Sequence, residues 1–162
     1  MMIGYLRFAL LFHTIPSIAT AWSTTMMSSN TNTAPKVTVV GGTGFVGSRV
    51  CQQLVRKGAS VTSVSLSGVV PKWCANEDWT RDVTWESVDL SNEDDMVALD
   101  NAVGTPDAIV SCVGVVGTDR DVLMRGNGNF NVVAFASAKR GGNVKRSAFV
   151  SVSSEVAACE EK

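Results

Sequence analysis

The chain has 162 residues, of which 45% are hydrophobic and 18% charged, and a formal net charge of −1. That length favours one domain, and that balance supplies a core and excludes wholesale disorder. A charge so near zero argues against a dedicated nucleic-acid binder.

The sign of charge is spread unevenly. No Asp or Glu precedes Glu77, whereas Arg7, Lys36, Arg49, Arg56, Lys57 and Lys72 do. The front half is therefore locally basic, which suits a phosphate-bearing ligand. The four cysteines, Cys51, Cys74, Cys112 and Cys159, form no C-x-x-C pair, and the one histidine is His13. This excludes a zinc site of the usual Cys/His spacing. Cys51 and Cys112 fall in apolar runs and read as buried small hydrophobes.

Residues 1–35 are expected to be a leader rather than fold. Arg7 gives a weakly positive start, Phe8–Phe12 and Ile15–Ile18 form an interrupted apolar core, and Ala19-Thr20-Ala21 offers a small-x-small cleavage site. His13 and Pro16 interrupt the run, which falls short of the ~18 apolar residues of a membrane span. The following STTMMSSNTNTAPK is hydroxyl-rich and acid-free, as in transit peptides. The whole resembles the bipartite plastid leader of algae with complex plastids. The alternatives are a secretory signal with a flexible linker, or mitochondrial import, which the lone arginine disfavours.

The rest, 36–162, alternates strand-like and helix-like patterns, which predicts βαβ units and a parallel sheet. KVTVV (36–40) is a short β-branched strand of the kind buried on both faces. GFVGSRVCQQLVRKG (44–58) is a helix with Val46, Val50, Cys51, Leu54 and Val55 on one face, Arg56 and Lys57 in its last turn and Gly58 as its stop. SVTSVSL (60–66) is the second strand, and 67–82 reads as a long loop with a short helical turn. VTWESVDL (83–90) is the third strand. The next helix (91–104) is capped by Ser91, with Glu93–Asp95 in its acidic first turn. DAIVSCVG (107–114) is the fourth strand. The segment 119–142 is a helix with a defect at Gly126 and Gly128, each costing about 1 kcal/mol against Ala; 129–140 is its regular part. RSAFVSVS (146–153) is the fifth strand.

Gly41, Gly42, Gly44 and Gly47 satisfy G-x-G-x-x-G between a strand and an amphipathic helix, the context that gives this spacing its meaning. The glycines permit a tight turn, a bare backbone approach to a diphosphate, and close helix–strand packing. The amides that follow, over Thr43, Phe45 and Val46, then point at the anion. Beyond the second strand a carboxylate would select NAD. Ser63 to Gly68 contains none. The missing acid and the basic front half lean toward NADP, with Ser65 and Ser67 as donors to a 2′-phosphate, yet no arginine stands there either. Asp89, with Leu90, closes the third strand where a carboxylate can accept from an adenine amino group. Gly114 lies where only a small residue lets backbone pass a cofactor, with Cys112 and Val113 as walls.

In order, VVGGTGFVGSRVC, VTSVSLSG, VTWESVDL, IVSCVG and RSAFVSVSS resemble the landmarks of the atypical, extended short-chain dehydrogenase/reductase family. The likeness covers nearly everything after Pro35. It implies a three-layer Rossmann α/β fold with parallel strands in order 3-2-1-4-5, truncated after the fifth. The chain is similar to organellar members related to the nucleotide-binding accessory subunit of respiratory complex I, and to an accessory protein of ubiquinone biosynthesis. The resemblance implies pyrophosphate at Gly41, Gly44 and Gly47, adenine at Asp89, and a family helix asparagine at Asn127. Where the family often has SRSG, this chain has Leu66 in the arginine's place.

Catalytic members need Tyr-x-x-x-Lys for proton donation. The one tyrosine is Tyr5, and the sequence stops at Lys162 just beyond Ser153 and Ser154, which match the family's serine position. Two expectations remain side by side: a shortened form of an NAD(P)-dependent enzyme, or a non-catalytic accessory factor of a membrane redox or quinone-biosynthesis complex. In either, the fifth strand is expected to present an exposed apolar edge.

Overall fold

The computed structural model describes residues 33–92 and 96–151. The fold occupies the compact unit Ala34–Lys162. Residues 1–32 of the expected leader, Glu93–Asp95 of the expected acidic first turn, and Ser153, Ser154 and Cys159 lie outside the described residues.

A five-stranded parallel sheet has the order β3-β2-β1-β4-β5. Its strands are β1 Lys36–Val40, β2 Ser60–Ser65, β3 Val83–Ser87, β4 Ala108–Ser111 and β5 Arg146–Phe149. The helices are α1 Phe45–Arg56, α2 Met96–Val103, α3 Arg120–Met124 and α4 Phe130–Arg140, with a π turn at Arg125–Asn129 and a 3₁₀ turn at Asp78–Asp82. This is the parallel sheet that the alternating pattern predicts, in the Rossmann order that the family resemblance implies.

Register explains the central strand. Val39 pairs with Ser63 and Val110, and Val40 with Val64 and Ser111. Successive side chains leave opposite faces. On one face Val40, Val64 and Ile109 pack with Leu99 and Val103 of α2 and with Ala134 and Ala138 of α4. On the other, Val37 and Val39 lie beneath α1. Both faces are covered, so β1 after Lys36 is wholly buried.

The buried face of α1 differs from the expected one. Gly47, Ser48, Cys51, Gln52 and Leu54 face inward, while Val46 is 46% exposed. Small residues take the inner face because the helix start sits almost against the glycine turn. A β-carbon on Gly47 would collide with Gly41 O. Gln52 tolerates burial because its amide donates to Glu77 Oε2 at 2.7 Å.

Glu77 organises the β2–β3 connection. The same oxygen accepts from Trp79 Nε1 at 2.7 Å, and Thr80 Oγ1 donates to the Glu77 carbonyl at 2.7 Å. Trp79 is buried and lies 6.4 Å from Trp85, centroid to centroid. A tryptophan pair clasped to α1 thus covers ground that a crossover helix takes in other βαβ units.

The expected helix defect is the π turn, which contains both Gly126 and Gly128. A β-carbon on Gly126 would strike the side chain of Val115. The regular helix resumes at Phe130. Across the bundle, Asp100 of α2 accepts from Ser137 Oγ at 2.6 Å and from Arg140 Nε at 2.9 Å. The strand β5 is the sheet's edge among the described residues, and Phe149 at its end is 59% exposed.

Candidate functional site

Three backbone bonds carry the ladder of β1–β4 past its strand ends. Gly41 N donates to Val64 O at 2.7 Å, Cys112 N to Val40 O at 2.8 Å, and Val88 N to Ser65 O at 2.9 Å. They gather the carboxyl ends of β1–β4 around a cleft of about 300 Å³. It lies where β1 is flanked by β2 on one side and β4 on the other, the point of an open α/β sheet where ligands settle.

Nine of the sequence-predicted site residues line this cleft. Gly41, Thr43 and Gly44 form its floor; Ser65, Asp89 and Leu90 one wall; Cys112, Val113 and Gly114 the other. Gly41 adopts φ +80°, which favours glycine, and a β-carbon there would come within 3.0 Å of the Cys112 carbonyl carbon. On Gly44 a β-carbon would lie 3.2 Å from Gly41 O. Gly41 is therefore bare because it has no room for a side chain, and Gly44 has little.

The turn feeds directly into α1. Gly44 N donates to Gly41 O, and Ser48 N makes the helix's first bond, to Gly44 O at 2.9 Å. The amides of Phe45, Val46 and Gly47 precede that bond and have no partner within the helix. Gly44 caps without a side chain, and no acid occupies the first turn. Nothing in the chain's first helical turn competes with an external anion.

Six predicted residues do not line the cleft. Gly42 is packed away from it, and a β-carbon there would collide with Ser63 Oγ. Gly47 is buried beneath the turn. The side chains of Phe45 and Val46 stand in solvent, 74% and 46% exposed, which leaves only their amides to face an anion. Ser67 lies on the exposed turn after β2. Asn127 is occupied with backbone: Val115 N donates to its Oδ1 at 2.9 Å, and its Nδ2 donates to Val115 O at 3.0 Å. It ties the π turn to the loop after β4, whose first residues wall the cleft.

Sequence reasoning missed Val64, Val88 and Phe130 as lining groups, and gave Leu66 only as an arginine's replacement. Val64 and Val88 had a signal, since both stand at carboxyl ends of strands. Phe130 had none, because the π turn shifts the helical phase before it.

The electrostatics are simple. Among the described lining residues only Asp89 is charged at neutral pH. Its Oδ1 accepts from Ser91 Oγ at 2.7 Å and Ser91 N at 2.8 Å, which hold the carboxyl below its ordinary range. Ser91 is thus engaged with Asp89. Burial pushes the Cys112 thiol up to about 11. It is no activated nucleophile. Among the described residues no His/Cys/Asp/Glu cluster suits a metal, and no helix is long and apolar enough to cross a membrane.

Comparison with known proteins agrees with this geometry. The sequence profile of the NAD dependent epimerase/dehydratase family matches residues 37–162. A relative from Arabidopsis thaliana, the uncharacterized chloroplastic protein At1g32220, is 36% identical over 104 residues, 64% of this chain and 32% of its own. MIOREX complex component 2 of Saccharomyces cerevisiae is 42% identical over 64 residues, 37% of this chain and 22% of its own. The chain thus spans about a third or less of these relatives. Uronate dehydrogenase of Agrobacterium tumefaciens, complexed with NAD, superposes with a TM-score of 0.55 at 23% identity, covering 74% of this chain and 41% of that one. WbmH of Bordetella bronchiseptica, complexed with NAD+, gives 0.56 at 19%, covering 71% and 38%. These two likenesses establish the fold.

Proposed function

The chain belongs to the NAD dependent epimerase/dehydratase family, and from that membership we propose that it binds a nicotinamide dinucleotide in the cleft at the carboxyl ends of β1–β4. One observation carries the reading. At Gly41, Gly42 and Gly47 the turn has no space for a β-carbon, and it delivers three helix-start amides with no acid beside them.

In this reading the amides of Phe45, Val46 and Gly47 hold the diphosphate. The adenosine lies between the ends of β2 and β3, over Val64, Val88 and Leu90, with Asp89 accepting at the rim. Cys112, Val113 and Gly114 let the nicotinamide half pass β4. Bound there, the cofactor supplies hydride acceptance or donation, while the protein's part is to orient it and exclude water along one face.

Titration of the full chain with NADH and NADPH, followed by nucleotide fluorescence, tests this. Saturable binding is expected, and Gly44→Val should weaken it by at least about tenfold. Absence of binding, or an unchanged affinity in the variant, overturns the reading.

We further propose that the protein works in a plastid, supported by the leader-like residues 1–35 and by the chloroplastic relative. A fluorescent protein fused behind those residues should enter plastids; cytosolic fluorescence would refute it. A second role for the bound nucleotide, as a structural element of a larger assembly, is favoured by the likeness to a named complex component. Native electrophoresis of organelle extracts separates the two. Migration within a large assembly supports the accessory role, and a free species that turns over cofactor supports an enzyme.

A further inference from the structure

The turn that follows β2 carries an inference about cofactor choice, which rests on the dinucleotide reading above. Its backbone is fixed from several sides. Gly68 N donates to Ser65 Oγ at 3.2 Å, and Ser87 Oγ donates to Leu66 O at 2.8 Å. Gly68 has φ +60°, and a β-carbon there would lie 2.6 Å from Ser87 Cβ. The turn is thus pressed onto the end of β3. Leu66 is 72% exposed, yet it lines the cleft.

This is the position at which dinucleotide sites discriminate. A carboxylate here accepts from the ribose hydroxyls and repels a 2′-phosphate, whereas a nearby arginine neutralises that phosphate. The chain offers Ser65, Leu66, Ser67 and Gly68. Ser65 is buried, and its oxygen accepts from Gly68 N, which leaves its own proton to donate to a hydroxyl or to a phosphate alike. No lysine or arginine lines the cleft among the described residues, and the one carboxylate, on Asp89, belongs to the end of β3.

We propose that Leu66 leaves the site indifferent to the 2′-phosphate, so that NAD and NADP bind with affinities within about tenfold of each other. A phosphate beside an exposed leucine keeps its hydration and counterions. It gains no cation and meets no ribose-binding acid. Repulsion from Asp89 reaches it through solvent, where salt screens charges beyond about 8 Å at physiological strength.

Calorimetric titration of the full chain with NAD+ and NADP+ at two salt concentrations tests the proposal. The expected ratio of dissociation constants lies within about tenfold and changes little with salt. Leu66→Arg should shift that ratio toward NADP, and Leu66→Asp toward NAD, each by at least about tenfold, with the arginine's effect weakening as salt rises. Circular dichroism should show both variants folded, since the side chain they replace is exposed. A wild-type preference of about a hundredfold either way, or a ratio that neither variant moves, overturns this inference and leaves dinucleotide binding standing. Failure of the wild type to bind either nucleotide overturns both.

Discussion

The carbonyl oxygen of Gly41 fills the space that a β-carbon on Gly47 would need. Strand, turn and helix are locked at that contact, since Gly41 continues β1 and Gly47 belongs to the first turn of α1. Gly47→Ala must therefore push α1 off the sheet or distort the turn. Overpacking of this kind costs about 1–3 kcal/mol. The expected result is a lower urea midpoint together with weakened nucleotide binding. A variant with wild-type stability and affinity would show that the contact gives way freely.

Gly128 makes the opposite case within the π turn. A β-carbon there meets nothing within 4 Å, and the residue does not need positive φ. Gly128→Ala should be neutral or stabilising by up to about 1 kcal/mol, because alanine restricts the unfolded chain and favours helix. Gly126→Ala, which strikes the Val115 side chain, should destabilise. Thermal melts of the two variants check this; the reverse order would mean that the π turn is not the stable form of this segment.

Much of the fold was legible because its signals are local. β-branched runs, a glycine turn and helix stop signals sit within a few residues of each other, and their alternation gives βαβ units and a parallel sheet, while the strand order came from the family resemblance. What escaped depended on distant partners. Burial of Gln52 is sensible only once Glu77, 25 positions on, is known to accept from it. Phe130 reaches the cleft because the π turn changes helical phase, and periodicity counted through Gly126 and Gly128 cannot report that. Asn127 was legible as a motif residue, but its bonds to Val115 O and N are tertiary. Of the nine cleft residues found, Gly41, Thr43 and Gly44 came from the glycine-turn motif, and the other six from their places at or just beyond the carboxyl ends of strands.

Acid should loosen the junction between α2 and α4. Hydrogen bonds from Arg140 first, then Ser137, hold the Asp100 carboxyl below its ordinary range. Its folded pKa lies below the unfolded value of about 3.9. The stabilisation is therefore fully present above that value and is lost as pH falls through the folded pKa. Because the Arg140 and Asp100 side chains are 44% and 38% exposed, solvent screens much of the pair. Urea midpoints of wild type and Asp100→Asn should differ at pH 7 and converge as pH falls through the lowered folded pKa of the carboxyl. A difference that persists unchanged in acid would place the variant's effect outside this ion pair.

Asn127 should act on the loop after β4 rather than on fold stability. Its two bonds to Val115 are solvent-exposed, and each contributes about 0.5–1.5 kcal/mol at most. Asn127→Ala should therefore lower the melting temperature slightly, while hydrogen exchange at the Val115 amide accelerates by about tenfold or more. Exchange elsewhere in the sheet should stay slow. Since Cys112, Val113 and Gly114 precede Val115 and wall the cleft, nucleotide affinity should fall in step. Unchanged exchange at Val115 would mean that the loop is held by other contacts.

Thiol chemistry offers a probe that needs no substitution. Burial first, then the neighbouring Cys112, pushes the Cys51 thiol up to about 12, and burial puts Cys112 at about 11. Against an ordinary thiol value of 9.0, the thiolate of Cys51 at pH 7.5 is scarcer by about a thousandfold, and the thiolate is the reactive form. Iodoacetamide followed by peptide mass mapping should label both cysteines slowly in the native protein and quickly in urea. Cys112 lines the cleft and Cys51 does not, so saturating nucleotide should slow Cys112 further and leave Cys51 as it was. Rapid native labelling of Cys51 would mean that α1 lifts from the sheet on the labelling timescale, and with it the turn whose amides the anion needs.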